Sequence, residues 1–344
     1  MNLLDIRNLS IELETPNGRI LAVDRVSLSI KEGEVRGLVG ESGSGKSLLA
    51  QAIIGVLEDK WHVHADRFHW RGIDLLRLTI EERKALLCRD IAMIFQEPMS
   101  CLDPTTLIGE QLSEAIDSSQ LTGHYWQRKA QRKEAVIKLL HKVGIKKHLQ
   151  CINSYPHQLT EAICQRVMIA IALAGRPILL IADEPTATME STNQGQIFRL
   201  LANLNQLKNM SILLISHDLE NLTHWTNTIT VMYSGQFVEA GTTGQIFNKP
   251  MHPYTRALVD SSTKANLQLP SKSRLMTLPG SIPILQHLPI GCRLGPRCPR
   301  AQKTCVEAPK VSSFHGHKVS CHFPLLHEKV KKTQAKQCST KGAC

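Results

Sequence analysis

The sequence predicts an α/β protein built around a largely parallel sheet, and three observations carry that prediction. A short apolar run, Val35-Arg36-Gly37-Leu38-Val39, leads into Gly40-Glu41-Ser42-Gly43-Ser44-Gly45-Lys46-Ser47, and good helix formers follow in Leu48-Leu49-Ala50-Gln51-Ala52-Ile53-Ile54. Two more runs, Ile178-Leu179-Leu180-Ile181-Ala182 and Ile212-Leu213-Leu214-Ile215, are apolar throughout, as strands buried on both faces are. Helical patterns separate these runs, and strands alternating with helices form a largely parallel sheet.

Before residue 35 the chain reads as short strands, Leu4-Asp5-Ile6 and Ser10-Ile11-Glu12-Leu13, then a turn at Thr15-Pro16-Asn17-Gly18. Arg25-Val26-Ser27-Leu28-Ser29-Ile30 alternates as a further strand, so an antiparallel β subdomain leads into the core. Ile91-Ala92-Met93-Ile94-Phe95 is another buried strand, and a helical insertion is expected over about 100–175. Beyond Gly241 the chain turns irregular and rich in Pro and Cys. The boundaries expected are a nucleotide-binding domain over 1–255, a C-terminal region over 256–325 and a basic, disordered tail over 326–344.

The 344 residues suggest about two domains, and 42% hydrophobic content is enough for a real core. No run of 18 uncharged apolar residues is present, and Met1-Asn2-Leu3-Leu4-Asp5 lacks the basic, apolar opening of a signal peptide. A cytoplasmic chain is expected. Net charge is +11 and partly clustered: Arg128, Lys129, Arg132, Lys133, Lys138, Lys142, Lys146 and Lys147 face Glu134 alone over that stretch. Lys329, Lys331, Lys332, Lys336 and Lys341 add charge in the tail. Solvated helix faces explain such clusters, and so does attraction to an anionic membrane surface. In a reducing compartment the ten cysteines argue against disulfides.

The run Gly40–Ser47 fits G-x-x-x-x-G-K-S/T without a mismatch. Glycines let the backbone N–H groups of such a loop converge on phosphates, and the following helix N-terminus adds partial positive charge. Lys46 can neutralise the β- and γ-phosphates and Ser47 can reach Mg²⁺. Asp183-Glu184 closes an apolar strand at the end where ligands bind in open α/β sheets. Asp183 suits Mg²⁺, and Glu184 suits polarising an attacking water. His217 follows the strand ending at Ile215 and can contact a γ-phosphate; Gln96 follows Phe95 and can coordinate Mg²⁺ or the water.

The order Gly40–Ser47, Gln96, Leu159–Gln165, Asp183-Glu184, His217 resembles the ATPase subunits of ABC transporters, a group of phosphate-loop NTPases. The resemblance runs from residue 3 to about 325. Gln96-Glu97-Pro98, Gln165-Arg166-Val167-Met168-Ile169-Ala170, Met251-His252-Pro253-Tyr254-Thr255 and the cysteine-rich end resemble the oligopeptide/dipeptide importers within that family. It implies ATP and Mg²⁺ as cofactors and two ATPase subunits sandwiching two ATPs. It also implies two membrane permeases, a periplasmic peptide-binding protein, and peptide uptake that includes antimicrobial peptides. The chain would then lie peripherally on the cytoplasmic face of the inner membrane. The competing readings are an ABC ATPase acting on nucleic acid or ribosomes, which one cassette per chain disfavours, and a regulatory half that binds ATP without turnover.

Two family elements depart from the pattern. Leu159-Thr160-Glu161-Ala162-Ile163-Cys164-Gln165 keeps a hydroxyl at Thr160 but lacks both glycines of the family signature. A carboxylate at Glu161 near phosphate oxygens costs about 4 kcal/mol per like-charge pair at ~4 Å and an effective dielectric of ~20. After Asp183-Glu184-Pro185-Thr186 the family's Leu-Asp pair is replaced within Ala187-Thr188-Met189-Glu190. Both elements act across the dimer, so an unequal heterodimer is expected, with a partner ATPase lending an intact signature. Residues 1–60 contain no aromatic to stack on adenine, so an apolar contact from Leu13 or Val23 and modest ATP-over-GTP preference are expected.

Cys292-x5-Cys298-x6-Cys305-x15-Cys321 groups four cysteines among prolines. The spacing is not the C-x2-C of structural zinc. It resembles the C-terminal region of peptide-importer ATPases, some of which hold a 4Fe–4S cluster. Iron–sulfur, zinc and merely packed thiols all stay open on the sequence.

Overall fold

The computed structural model describes residues 2–16, 18–187, 189, 191–262 and 278–325. In chain order the elements are β1 (Asn2–Thr15), β2 (Gly18–Lys31), β3 (Val35–Val39), α1 (Lys46–Ile54), β4 (Trp61–His64), β5 (Arg67–Trp70), β6 (Ile73–Asp74) and α2 (Ile80–Asp90). Then come β7 (Ile91–Ile94), α3 (Pro98–Cys101), α4 (Ile108–Glu114), α5 (Tyr125–Lys142), α6 (His148–Ile152), α7 (Glu161–Ala174) and β8 (Leu179–Asp183). They are followed by α8 (Ser191–Lys208), β9 (Ser211–Ser216), α9 (Leu219–Thr223), β10 (Thr228–Tyr233), β11 (Gln236–Thr242), α10 (Thr243–Asn248), α11 (Pro253–Asp260), β12 (Val311–Phe314) and β13 (His317–Ser320).

Two sheets organise the molecule. The core sheet runs β12-β13-β11-β10-β3-β9-β8-β7, and its five strands from β10 to β7 are parallel. The other sheet is antiparallel, in the order β2-β1-β5-β6, with β4 also paired to β1. The short strands expected before residue 35 are in fact two long ones. A bulge near Asn8, whose φ is 48°, shifts the register between Ile6 and Leu9 and lets β1 continue.

Alternation explains the continuous apolar runs. In β8, Leu179 and Ile181 enter the core shared with β1, β2 and α1, whereas Leu180 and Ala182 enter the core shared with α7 and α8. In β9, Leu213 and Ile215 divide from Ile212 and Leu214 in the same way. Both faces are dry, so neither can be polar. Each fully buried Leu or Ile contributes about 1.5–3 kcal/mol.

The helices α3 to α7 lie between β7 and β8, where a helical insertion is expected. The stretch beyond Gly241 is less irregular than its composition suggests. Thr242 and Gln245 form a capping box that starts α10, and His252 with Pro253 at the first turn starts α11. The C-terminal hairpin β12–β13 extends the core sheet, with Glu239 opposite Val319. Among the described residues no helix is long and apolar enough to cross a membrane. The expected tail over 326–344 lies outside the described residues.

Candidate nucleotide site

β3 ends at Val39 and α1 starts at Lys46, so Gly40–Gly45 turn the chain from strand to helix. Gly43 and Gly45 have φ of 78° and 99°, a backbone that favours glycine. Gly40 is needed for space: a Cβ there would lie 2.1 Å from the Met232 carbonyl oxygen. Lys46 is buried at the heart of the loop. Its Nζ donates to the carbonyls of Gly40 (2.8 Å) and Glu41 (2.9 Å). Burial pushes its pKa below the usual lysine range, and the carboxylates of Glu184, Asp183 and Glu41 oppose that shift.

The other candidates converge on the same edge, because β3, β9, β8 and β7 are neighbours and parallel. Asp183 is the last residue of β8, Glu184 follows it, and His217 follows β9. His217 Nδ1 lies 2.9 Å from Glu184 Oε2, and Gln96 Nε2 donates to that same oxygen at 3.5 Å. Glu184 has a φ of 45° and donates its N–H to the Ile215 carbonyl, which anchors its backbone to the end of β9. A non-glycine residue held there carries backbone strain, a feature that concentrates at functional sites.

Asp183 is buried and takes a hydrogen bond from Ser47, while its Oδ1 has no partner. Burial pushes its carboxyl pKa up. An orphan acidic oxygen beside a hydroxyl is the donor set a hard cation takes, so these residues fit the Mg²⁺ that the sequence implies. Ser42, Gly43 and Ser47 are exposed along the open side of the loop.

The four C-terminal cysteines, Cys292, Cys298, Cys305 and Cys321, line one pocket with His252 and His322. Burial pushes the Cys321 thiol up to about 11 and raises Cys292 and Cys298 as well. Among the described residues, however, no group of three or more His, Cys, Asp or Glu is placed to hold a metal ion. The expected iron–sulfur ligand set is therefore not assembled, and no chemistry is assigned to it.

Thr160 caps α7 without a side-chain hydrogen bond, and Glu161 stands exposed in the first turn of that helix. The altered Thr188 and Glu190 lie outside the described residues. Val23 is fully buried, with its Cγ2 3.3 Å from where a Gly45 Cβ would be, so it offers a base no open surface. Leu13 is half-buried and pairs with half-buried Trp61 on β4. An aromatic ring thus stands beside Leu13, one residue past the window in which none was found. Two further contacts were invisible in the sequence. The Tyr254 hydroxyl accepts the Glu41 N–H at 2.8 Å, and Arg297 Nη1 pairs with Glu41 Oε2 at 3.0 Å. No local spacing points to either.

A glycine loop, a buried lysine and an acid–histidine–glutamine cluster on one parallel-sheet edge define a phosphate-loop ATPase. Residues 23–187 match the family model for the ABC transporter, and 238–305 match that for the oligopeptide/dipeptide transporter C-terminal region. The chain belongs to the ABC transporter family, among its ATP-binding subunits. Over 96% of its length it is 55% identical to the peptide transport system ATP-binding protein SapD of Salmonella typhimurium, covering 100% of that protein. It is 48% identical to SapD of Haemophilus influenzae (96% of this chain, 95% of the relative) and 43% identical to the dipeptide transport ATP-binding protein DppD of Escherichia coli (94% and 98%). The fold also matches a dimeric ATP-binding cassette solved with ADP and Pi, with a TM-score of 0.59 at 24% identity over 70% of this chain and 98% of the other.

Proposed function

We propose that this chain is the ATP-hydrolysing subunit of a peptide importer, peripheral on the cytoplasmic face of the inner membrane. It works beside a second ATPase, two permeases and a periplasmic peptide-binding protein. The observation that carries the reading is Glu184, a strained acid that meets His217 and Gln96 at the edge holding Lys46, Ser47 and Asp183. The relatives named for peptide transport support the substrate class.

In this reading the N–H groups of 43–47 and the Lys46 ammonium hold the β- and γ-phosphates. Ser47 and Asp183, with Gln96, hold Mg²⁺, which neutralises charge on the phosphate oxygens when bound. Glu184 orients the attacking water and takes on its proton. His217 fixes the Glu184 carboxylate and reaches the γ-phosphate side. Gln96 links that carboxylate to the start of the helical insertion, where the permeases dock. The exposed basic side chains of α5 favour an anionic lipid surface.

Glu161 and Ala162 make the signature a poor cap for a partner's γ-phosphate, so the assembled pair hydrolyses ATP mainly at the site holding Glu184. In the reconstituted complex, Glu184→Gln should lower ATPase activity by about 10²–10⁴-fold, the range of a lost general base. Restoring glycine at Glu161 and Ala162 should raise it. If neither change moves the rate, the reading is wrong. A 4Fe–4S cluster or zinc at Cys292, Cys298, Cys305 and Cys321 is tested by anaerobic purification with a visible spectrum and metal analysis.

A further inference from the structure

We propose that Arg293 and Arg297, carried by the cysteine-rich C-terminal segment, are positioning residues that brace the phosphate-binding loop at Glu41 and Ser44. The proposal rests on nucleotide binding at Gly40–Ser47 and extends it to a part of the chain about 250 residues away.

Arg297 grips one end of the loop. Its side chain is 10% exposed, and its Nη1 donates to Glu41 Oε2 at 3.0 Å and to the Tyr233 hydroxyl at 3.3 Å. Its Nε donates to the Pro279 carbonyl at 3.0 Å, so the guanidinium is fixed from behind. The Tyr254 hydroxyl accepts the Glu41 N–H, and the Tyr254 and Tyr233 rings pack 4.7 Å apart. Both rings are fully buried. Glu41 is thereby held through its carboxylate and its backbone at once.

Arg293 supports the other end through one turn. It donates to the Ser234 carbonyl and to Asp24 Oδ2 at 3.3 Å. The next residue, Gly235, donates its N–H to the Ser44 carbonyl at 2.8 Å and accepts the Asp24 N–H at 2.9 Å. The turn cannot shift freely: a Cβ at Gly235 would lie 2.1 Å from the Ala22 carbonyl. Both arginines belong to the one short segment between Cys292 and Cys298, which closes on itself through Gly295 N–H to Cys292 O and Arg297 N–H to Leu294 O.

Two physical effects follow. A loop held in its binding geometry does not lose affinity to a fraction of misfolded loop conformers. A guanidinium against Glu41 also cancels a negative charge at the rim of a site built for polyphosphate. The second effect makes the role of Arg297 depend on Glu41.

MgATP binding to the full chain, followed by calorimetry, tests this with a double-mutant cycle. Arg297→Gln should weaken binding about ten-fold when Glu41 is present and about two-fold in a Glu41→Gln background, since no bare carboxylate is then left behind. Arg297→Lys should recover part of the loss, because it restores charge without the fork. Equal losses in both backgrounds, or a loss under two-fold with Glu41 present, would overturn the proposal. Should Arg297→Gln not fold, Tyr254→Phe keeps the ring pair and removes only the acceptor for the Glu41 N–H. It should weaken MgATP about five-fold, and an unchanged affinity would overturn the brace equally. Failure of the wild-type chain to bind MgATP would instead sink the nucleotide-site reading itself.

Discussion

Replacing Gly40 by alanine tests whether the loop's position, and not merely its composition, makes the site. The added Cβ would stand 2.1 Å from the Met232 carbonyl oxygen and 2.8 Å from Ser44 Oγ, where ordinary contact begins at 3.4 Å. Met232 is fully buried in β10, whose preceding residues pair with β3 (Val231 with Val39), so the strand cannot retreat. The loop must move by the difference, about 1.3 Å. A misplacement of about 1 Å costs roughly 10²-fold in rate when binding geometry sets the reaction. The assay is kcat/KM for ATP in the assembled complex, with circular dichroism to confirm folding. Gly43→Ala is the contrast: its φ of 78° imposes strain, but nothing lies within 4 Å of the new Cβ. Strain of about 1–2 kcal/mol limits that loss to about 30-fold. A Gly40→Ala enzyme within three-fold of wild type, or one less impaired than Gly43→Ala, would refute the positional argument.

Stability should depend on pH through His252. Burial pulls its pKa from 6.5 down to about 4, and its Nδ1 accepts the Tyr254 N–H that starts α11. The unfolded chain therefore binds the proton first, so stability is full above pH ~6.5 and falls by about 3 kcal/mol as pH drops towards about 4. His252→Asn keeps the cap acceptor and should flatten that slope in urea melts at pH 5 and 7; equal slopes would exclude His252 as the cause. Glu239, fully enclosed, accepts from the Met251 and His252 N–H groups at 2.8 Å each and faces His317 Nε2 at 2.6 Å. Glu239→Gln turns an NH₂ towards one of these donors and should cost about 1–3 kcal/mol by denaturant titration, with a change under about 0.5 counting against the network. Maleimide mapping at pH 7 should label exposed Cys88 well before Cys151, whose burial pushes its pKa up to about 11. The reverse order would show that the buried core opens more readily than its packing allows.

The amino-acid sequence by itself determined the parts that depend on neighbours along the chain. Strand, glycine loop and helix are contiguous at 35–54, and the apolar runs of β8 and β9 announce their burial because both faces must be dry. Asp183, Glu184, His217 and Gln96 were legible as candidates because each ends or follows a strand, and parallel strands deliver their ends to one edge. Tertiary structure alone decided what those residues touch. It set the Glu184 oxygen between His217 and Gln96, left Asp183 Oδ1 unpartnered, and turned short predicted strands into one long β1 through a bulge at Asn8. It returned Trp61 to Leu13 and closed Arg297 on Glu41 across 256 positions. Such contacts leave no periodic trace, because a side-chain pair formed by folding constrains geometry in space and not spacing in sequence. The cysteine cluster shows the limit from the other side: four cysteines close together in the chain, and their resemblance to peptide-importer ATPases, suggested a metal, and the fold gathered the four thiols around one pocket without aligning three of them as ligands.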